Sequence, residues 1–230
     1  YNGKGYLTEW VNFIDYGRVA VIDLEKREVI ETITTDFGAE NIVAHLGLIY
    51  VSNSFTNTVS VIDPEEGEVV NTIEVGDSPG VFLVDKENYL WVVCGGGYDE
   101  MYNPLNNGAL VQLDPALTSD FQNNSIRKKI ELHMNISPKA AIDAVNNIIY
   151  YYKGKSLYSI APSAAEASAT PLLTEANAIS FYGIGYEVTS GLVYLADSKA
   201  FSGNGKVFVY DTDGAFIKSV DSGRGPNGFV

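Results

Sequence analysis

His45, His133 and Cys94 carry the most versatile chemistry in this 230-residue sequence. Neither histidine has a second Cys or His at metal-ligand spacing, so the pattern argues against a zinc site. As a general base, either would need a nucleophile and an orienting carboxylate brought to it from elsewhere in the chain. No catalytic residue, metal ligand or cofactor is assigned on this basis. Cys94 ends a run of core-type residues and reads as a small buried hydrophobe. Two further motifs fail on context. Gly223-x-Gly225-x-x-Gly228 has G-x-G-x-x-G spacing, but a phosphate cradle needs a strand before it and a helix after it. Pro226 interrupts the motif, so it reads as a tight turn between repeats. Asp211-Thr212-Asp213-Gly214 begins like a calcium loop but lacks the later Gly and Glu that such a loop requires. It reads as a hairpin turn.

The residues suited to binding are aromatics interleaved with amides. They fall in segments 10–17, 52–58, 94–108, 153–155 and 197–205. Trp10, Phe13, Tyr16, Phe55, Asn57 and Tyr98 are candidates from the first three. Tyr102 and Asn103 follow in the long segment, with Asp197, Phe201 and Asn204 in the last and Tyr182 in the strand before it. Segment 94–108 is far longer than a hairpin turn needs. Aromatic faces with amide donors and acceptors suit a large, flat, uncharged, hydrogen-bonding ligand. A corrinoid or a glycan fits that description, and so does a protein loop.

The elements that must hold these segments come from an internal repeat. Val21-Ile22-Asp23 opens the stretch VIDLEKREVIETI, and forty residues on Val61-Ile62-Asp63 opens VIDPEEGEVVNTI. Looser copies begin at Val111, Leu157 and Val207. Each copy alternates, four of them into an Asp, turns, and alternates back, which is the pattern of a β-hairpin. Glu65-Glu66-Gly67 and Asp213-Gly214 supply residues that tolerate a positive φ. A strand precedes every hairpin, and a further short strand precedes four of those. Segment 163–170 reads as a loop or a weak outer strand. Four strands per unit of about 40–45 residues predicts an all-β propeller of four-stranded antiparallel blades. Five blades are visible, in one domain over residues 1–230. The first opens at its second strand, and Gly228-Phe229-Val230 reads as an innermost strand. In such a ring the loops from second to third strand share one face with the loops that lead into each blade. The candidate residues lie on that face.

Ile49-Tyr50-Val51-Ser52-Asn53 and the repeat that runs on to Pro79 resemble the YVTN-type propeller repeat of bacterial surface-layer-like proteins. Segment 182–229, with Leu90-Trp91-Val92-Val93-Cys94 and the three glycines after it, resembles exported propellers of anaerobic gut bacteria. Some of that group are surface lipoproteins that capture cobalamin for a TonB-dependent outer-membrane transporter. The resemblance implies a propeller exported to the periplasm or the outer-membrane surface. It implies a seven-bladed ring of ~315 residues, of which this chain would be a fragment lacking about two blades.

The net charge is −14. Nucleic-acid binding needs clustered cations to displace counterions, and the richest cluster, Arg127-Lys128-Lys129, has Glu131 beside it. It reads as a solvated strand edge. No run of ~18 apolar residues is present, so no membrane-spanning helix is expected. The chain starts at Tyr1, without a Met or a signal peptide, and an export signal or lipid-anchor cysteine is expected to be trimmed or to lie outside this sequence. A non-catalytic ligand-binding protein of the cell envelope is the expectation that fits best. A protein–protein scaffold is the alternative. A propeller lyase or quinone-dependent dehydrogenase fits less well, since the dehydrogenases carry Trp-rich repeats and only Trp10 and Trp91 occur here.

Overall fold

The computed structural model describes residues 1–120 and 125–229. Its strands form five antiparallel sheets in chain order. The first has three strands, β1 (Lys4–Glu9), β2 (Arg18–Asp23) and β3 (Glu28–Thr34). The second has β4 (Ala39–His45), β5 (Leu48–Asn53), β6 (Thr58–Asp63) and β7 (Glu68–Glu74). The third has β8 (Pro79–Val84), β9 (Leu90–Cys94), β10 (Ala109–Leu113) and β11 (Ile126–Glu131). The fourth has β12 (Ala140–Asp143), β13 (Ile148–Lys153), β14 (Ser156–Ile160) and β15 (Leu173–Thr174). The fifth has β16 (Phe181–Glu187), β17 (Leu192–Asp197), β18 (Lys206–Tyr210) and β19 (Phe216–Asp221). Every sheet is a meander of sequential strands, as expected of propeller blades. Segment 163–170 is a loop, and the outer strand of that blade is only Leu173–Thr174.

The repeat follows from two demands. The middle strands are sandwiched between neighbouring blades, so both of their faces must be apolar. Leu90–Cys94 is buried at every position, where a one-sided strand would alternate. Successive residues of such a strand point into different interfaces. Val19, Val21 and Ile33 meet Ile49, Val51 and Ile62 between the first two blades. Tyr50, Val59 and Val61 turn the other way, onto Leu90, Val92 and Val111 of the third. Trp91, Val93 and Leu110 then meet Ile149, Tyr151 and Tyr158, and Tyr150, Tyr152 and Leu157 meet Val193, Leu195 and Phe208. The second demand is turn chemistry. Asp63 Oδ1 accepts the N–H of Glu65 at 2.8 Å, and Asp23 Oδ1 those of Glu25 and Lys26 at 3.0 and 2.9 Å. Asp114 and Asp211 do the same after their own runs, and Asp143 does so in the turn between β12 and β13. The Asp that ends four of the five alternating runs is therefore a turn cap.

The first strands β4, β8, β12 and β16 pack side by side around one hollow. Gly80 allows a close approach: a Cβ there would lie 2.3 Å from the Pro138 carbonyl oxygen. The segment after β19 returns to this axis and lies against β16. A Cβ on Gly183 would come within 2.3 Å of the Asn227 carbonyl oxygen, and Phe229 packs on Tyr194 with ring centroids 5.6 Å apart. The strand expected at 228–230 does not form over Gly228 and Phe229, which lie against β16 without joining its ladder; Val230 lies outside the described residues. No helix of the described residues is long and apolar enough to cross a membrane.

Candidate functional site

Strands β4, β8, β12 and β16 begin at the face that carries the long loops, and two hollows open there. The axial hollow, about 680 Å³, is lined by Glu40 and Asn41 of β4, Val81 of β8, Lys139 and Ala140, Tyr182 and Ile184 of β16, and Asn227. Phe55 forms part of its rim and also lines a second hollow of about 530 Å³, with Asn57, Asp77, Gly97, Tyr98 and Leu105. Sites for small molecules fall in this size range.

Phe55 is held by its backbone. Ser54 N–H donates to the Gly38 carbonyl at 2.8 Å, and the Phe55 N–H donates to Phe37 at 3.3 Å. Gly38 has φ +77, and a Cβ there would lie 2.7 Å from the Phe55 ring. Trp10 meets Phe55 edge-on at 4.9 Å, and Phe13 stacks on it at 5.1 Å. The loop that carries these two rings is folded by Asn12, whose Oδ1 accepts the N–H of Ile14 and of Asp15 at 2.8 Å each. The three rings remain 42%, 76% and 39% exposed for Trp10, Phe13 and Phe55, so they form an open aromatic shelf beside the axis.

The long loop is anchored at its base. Asn106 accepts the Gly97 N–H at 2.7 Å and donates to Asp77, while Asn135 donates to the Asn106 carbonyl at 2.6 Å. Tyr98 faces the second hollow. Tyr102 does not join it. It projects into solvent, 85% exposed with φ +62. Asn103 is spent inside the loop, on the two oxygens of Asp99.

The other candidates divide in the same way. Tyr182 lines the axial hollow and meets Phe201 edge-on at 5.0 Å. Tyr16 packs on Phe37 in a tilted pair at 4.5 Å and borders a separate small hollow with Asp36 and Thr72. Asn204 is exposed and lines neither main hollow. Asp197 is fully buried, and its carboxylate accepts the N–H groups of Ile179, Ser180 and Lys199 at 2.8–3.1 Å. It is a buried loop anchor that lines neither main hollow.

The residue that sequence reasoning missed is Lys139. Its ammonium donates to the Tyr182 carbonyl at 2.9 Å and to the Asn227 side chain, and lies 4.0 Å above the Tyr182 ring. Burial holds its pKa below the ordinary lysine value, opposed by the charge of Glu40. Lys139 sits in a loop leading into a blade, and those loops share the binding face; that was the available signal. Gly76-Asp77-Ser78-Pro79-Gly80 spells G-x-S-x-G, whose nucleophilic use needs a strand-to-helix turn. Here it joins β7 to β8, and neither hollow is lined by a histidine. Burial pushes the Cys94 thiol up to about 12, which leaves it protonated. Among the described residues no group of three or more His, Cys, Asp or Glu is placed to hold a metal.

Residues 8–223 match the family model described as a domain of unknown function, DUF5074. The chain belongs to the DUF5074 family. No curated protein matches the sequence of this DUF5074 chain. Among solved structures it is similar to hydrazine synthase of Kuenenia stuttgartiensis, with a TM-score of 0.71 at 14% identity over 95% of this chain and 62% of that one. It is also similar to a quinonprotein alcohol dehydrogenase-like protein of Bacteroides thetaiotaomicron VPI-5482, with a TM-score of 0.68 at 16% identity over 94% of this chain and 55% of that one. A functionally unknown protein of Desulfotomaculum acetoxidans DSM 771 gives 0.64 at 12% identity, over 98% and 70%. The DUF5074 chain thus spans under two thirds of the first two. At these identities the likeness carries the propeller-type fold and nothing of activity.

Proposed function

We propose that this DUF5074 chain is a non-catalytic binding protein that takes its ligand on the long-loop face. The observation that carries this reading is the open shelf of Trp10, Phe13 and Phe55 beside the axial hollow. Three large rings left partly in water on rigid blades form an apolar platform, and amide and hydroxyl groups stand beside it. A large, flat, polar ligand would cover the rings and hydrogen-bond at its edge. With the YVTN-type resemblance, a corrinoid is the ligand class of choice, and the setting is the periplasm or the outer-membrane surface, with delivery to a TonB-dependent transporter.

Calorimetric titration with cobalamin tests the reading. Burial of one aromatic against a ligand contributes roughly 1.5–3 kcal/mol. Phe55→Ala and Trp10→Ala are each expected to weaken binding at least about tenfold, or ~1.4 kcal/mol. Phe216→Ala, on the outer strand β19, should leave affinity unchanged. No heat at ~100 µM cobalamin would limit binding to weaker than about −5.5 kcal/mol, too weak for capture. A second reading, a protein-binding scaffold, is favoured by the tip of the long loop, where Met101, Tyr102 and Leu105 are 79%, 85% and 67% exposed. It would take over on that outcome.

A further inference from the structure

We infer that the axial hollow is a subsite for a single negatively charged group, a carboxylate or a phosphodiester, carried by the ligand that covers the aromatic shelf, and that Lys139 is the residue that receives it. The inference rests on the proposed binding face and adds a chemical requirement to it. Lys139 is a cation whose partners are all neutral: the Tyr182 carbonyl, the Asn227 amide oxygen and the Tyr182 ring face. No carboxylate lies within ion-pair distance among the described residues; the pairs there join other cations, such as Arg18 with Glu9 and Lys206 with Asp221. An ammonium has three donors, and these partners occupy two of them. A half-buried charge held this way has lost water without gaining a counter-charge.

The hollow supplies more than the cation. Ser137 borders it, and its hydroxyl accepts from Tyr152 at 3.3 Å, which leaves its own hydrogen free to donate. Glu40 lines the same hollow from β4, beyond ion-pair distance from Lys139. Its charge opposes every anion there. One acidic and one basic group give a hollow of net zero charge, and since the cost of taking an ion out of water rises with the square of its charge, a monoanion is admitted more readily than a dianion. Phe55 borders both the shelf and the hollow, so one ligand can lie on the rings and place an acidic arm at the axis. The competing role for Lys139 is a strut that ties β16 to the chain's last segment.

The test uses the full 230-residue chain with isotope-labelled lysines, and acetate, dimethyl phosphate and inorganic phosphate as probes at constant ionic strength. The Lys139 side-chain signal is expected to shift saturably with acetate and dimethyl phosphate, and less with phosphate dianion. Lys218, on β19, serves as the reference. Glu40→Gln should tighten acetate binding at least threefold, and Lys139→Gln should abolish the rise in melting temperature that acetate produces. A Lys139 shift that is linear and equal to that of Lys218 overturns the subsite. So does a loss of stability in Lys139→Gln with no acetate effect in either wild type or Glu40→Gln, which is the signature of a strut. Saturation by acetate without any cobalamin binding leaves the anion subsite and removes the corrinoid reading. Cobalamin bound equally by wild type and Lys139→Gln, without acetate saturation, does the reverse.

Discussion

Replacing Arg27 by glycine should stabilise the protein, and the second repeat shows why. The turns after Asp23 and Asp63 are built alike: Arg27 N–H donates to the Asp23 carbonyl at 2.7 Å, and Gly67 N–H to the Asp63 carbonyl at 2.9 Å. Both residues are left-handed, with φ +60 and +73. Gly67 accepts that conformation freely. Arg27 does so at a cost of roughly 1–2 kcal/mol, because its Cβ crowds the next carbonyl. Its exposed side chain makes no ion pair or hydrogen bond among the described residues that would offset this. Glycine returns about 0.4–1 kcal/mol to the unfolded state, so Arg27→Gly should gain close to 1 kcal/mol. For a chain of this size that is a rise in melting temperature of about 2–4 °C. The substitution also makes the chain one unit more negative. Scanning calorimetry at ~0.15 M salt limits that effect to charges within about 8 Å. Arg27→Ala separates the two causes: it loses the same charge but keeps a Cβ at φ +60. Strain predicts a rise for glycine and little change for alanine. Equal rises in both variants, or no rise in either, would refute the argument.

Two other outcomes follow from the geometry. Gly80→Ala should cost about 1–3 kcal/mol by overpacking, since its Cβ would stand 2.3 Å from a backbone oxygen; Gly223→Ala, with nothing within 4 Å, should be neutral, and urea midpoints at constant m-value compare the two. Glu187 is held down to about 2 by the Ser190 hydroxyl and the Thr189 and Ser190 N–H groups of its turn. A folded pKa below the ordinary glutamate value of 4.5 stabilises above that pH, and the contribution is lost as pH falls toward 2. Glu187→Gln should therefore melt below wild type at pH 7 and converge with it near pH 2, and a constant gap across that range would contradict the assignment.

The sequence made the blades legible because blade packing imposes its pattern directly. Val21-Ile22-Asp23 and Val61-Ile62-Asp63 recur because each needs apolar residues on both strand faces and a carboxylate to cap the turn. The outer strand of the fourth blade was less legible. Only Leu173 and Thr174 pair there, and the loop before them is held by Lys128, which donates to the carbonyls of Pro162 and Ala164. A long-range bond of this kind has no local signature. The bulges that recur between the last two strands of a sheet, at Val21/Ile22, Val61/Ile62, Gln112/Leu113 and Val209/Tyr210, were equally hidden, because a bulge depends on the partner strand as much as on its own.

The site was half legible for a related reason. Aromatics in loops stand out against the strand pattern, so Trp10, Phe13 and Phe55 could be found without knowing that their rings touch. Asp197, in contrast, looked like a ligand group and is an anchor; composition cannot tell a carboxylate facing solvent from one turned onto backbone N–H groups. Lys139 looked like nothing, since one lysine beside Pro138 in a chain with eleven lysines carries no signal. Its weight comes from topology. The loops into each blade converge on one axis, where Lys139, Glu40 and Tyr182 meet from three different sheets. Residues at such a point share no sequence spacing, yet their electrostatics act on the same few ångströms. In a molecule with a charge of −14, an ammonium held at the axis among neutral partners is the local exception to the overall field. On the proposed reading, an anionic group approaching this face would be repelled by the surface at long range and attracted only at the hollow, which would restrict it to ligands already engaged by the rings. Shelf and cation would then act in order, with apolar contact first and charge recognition second.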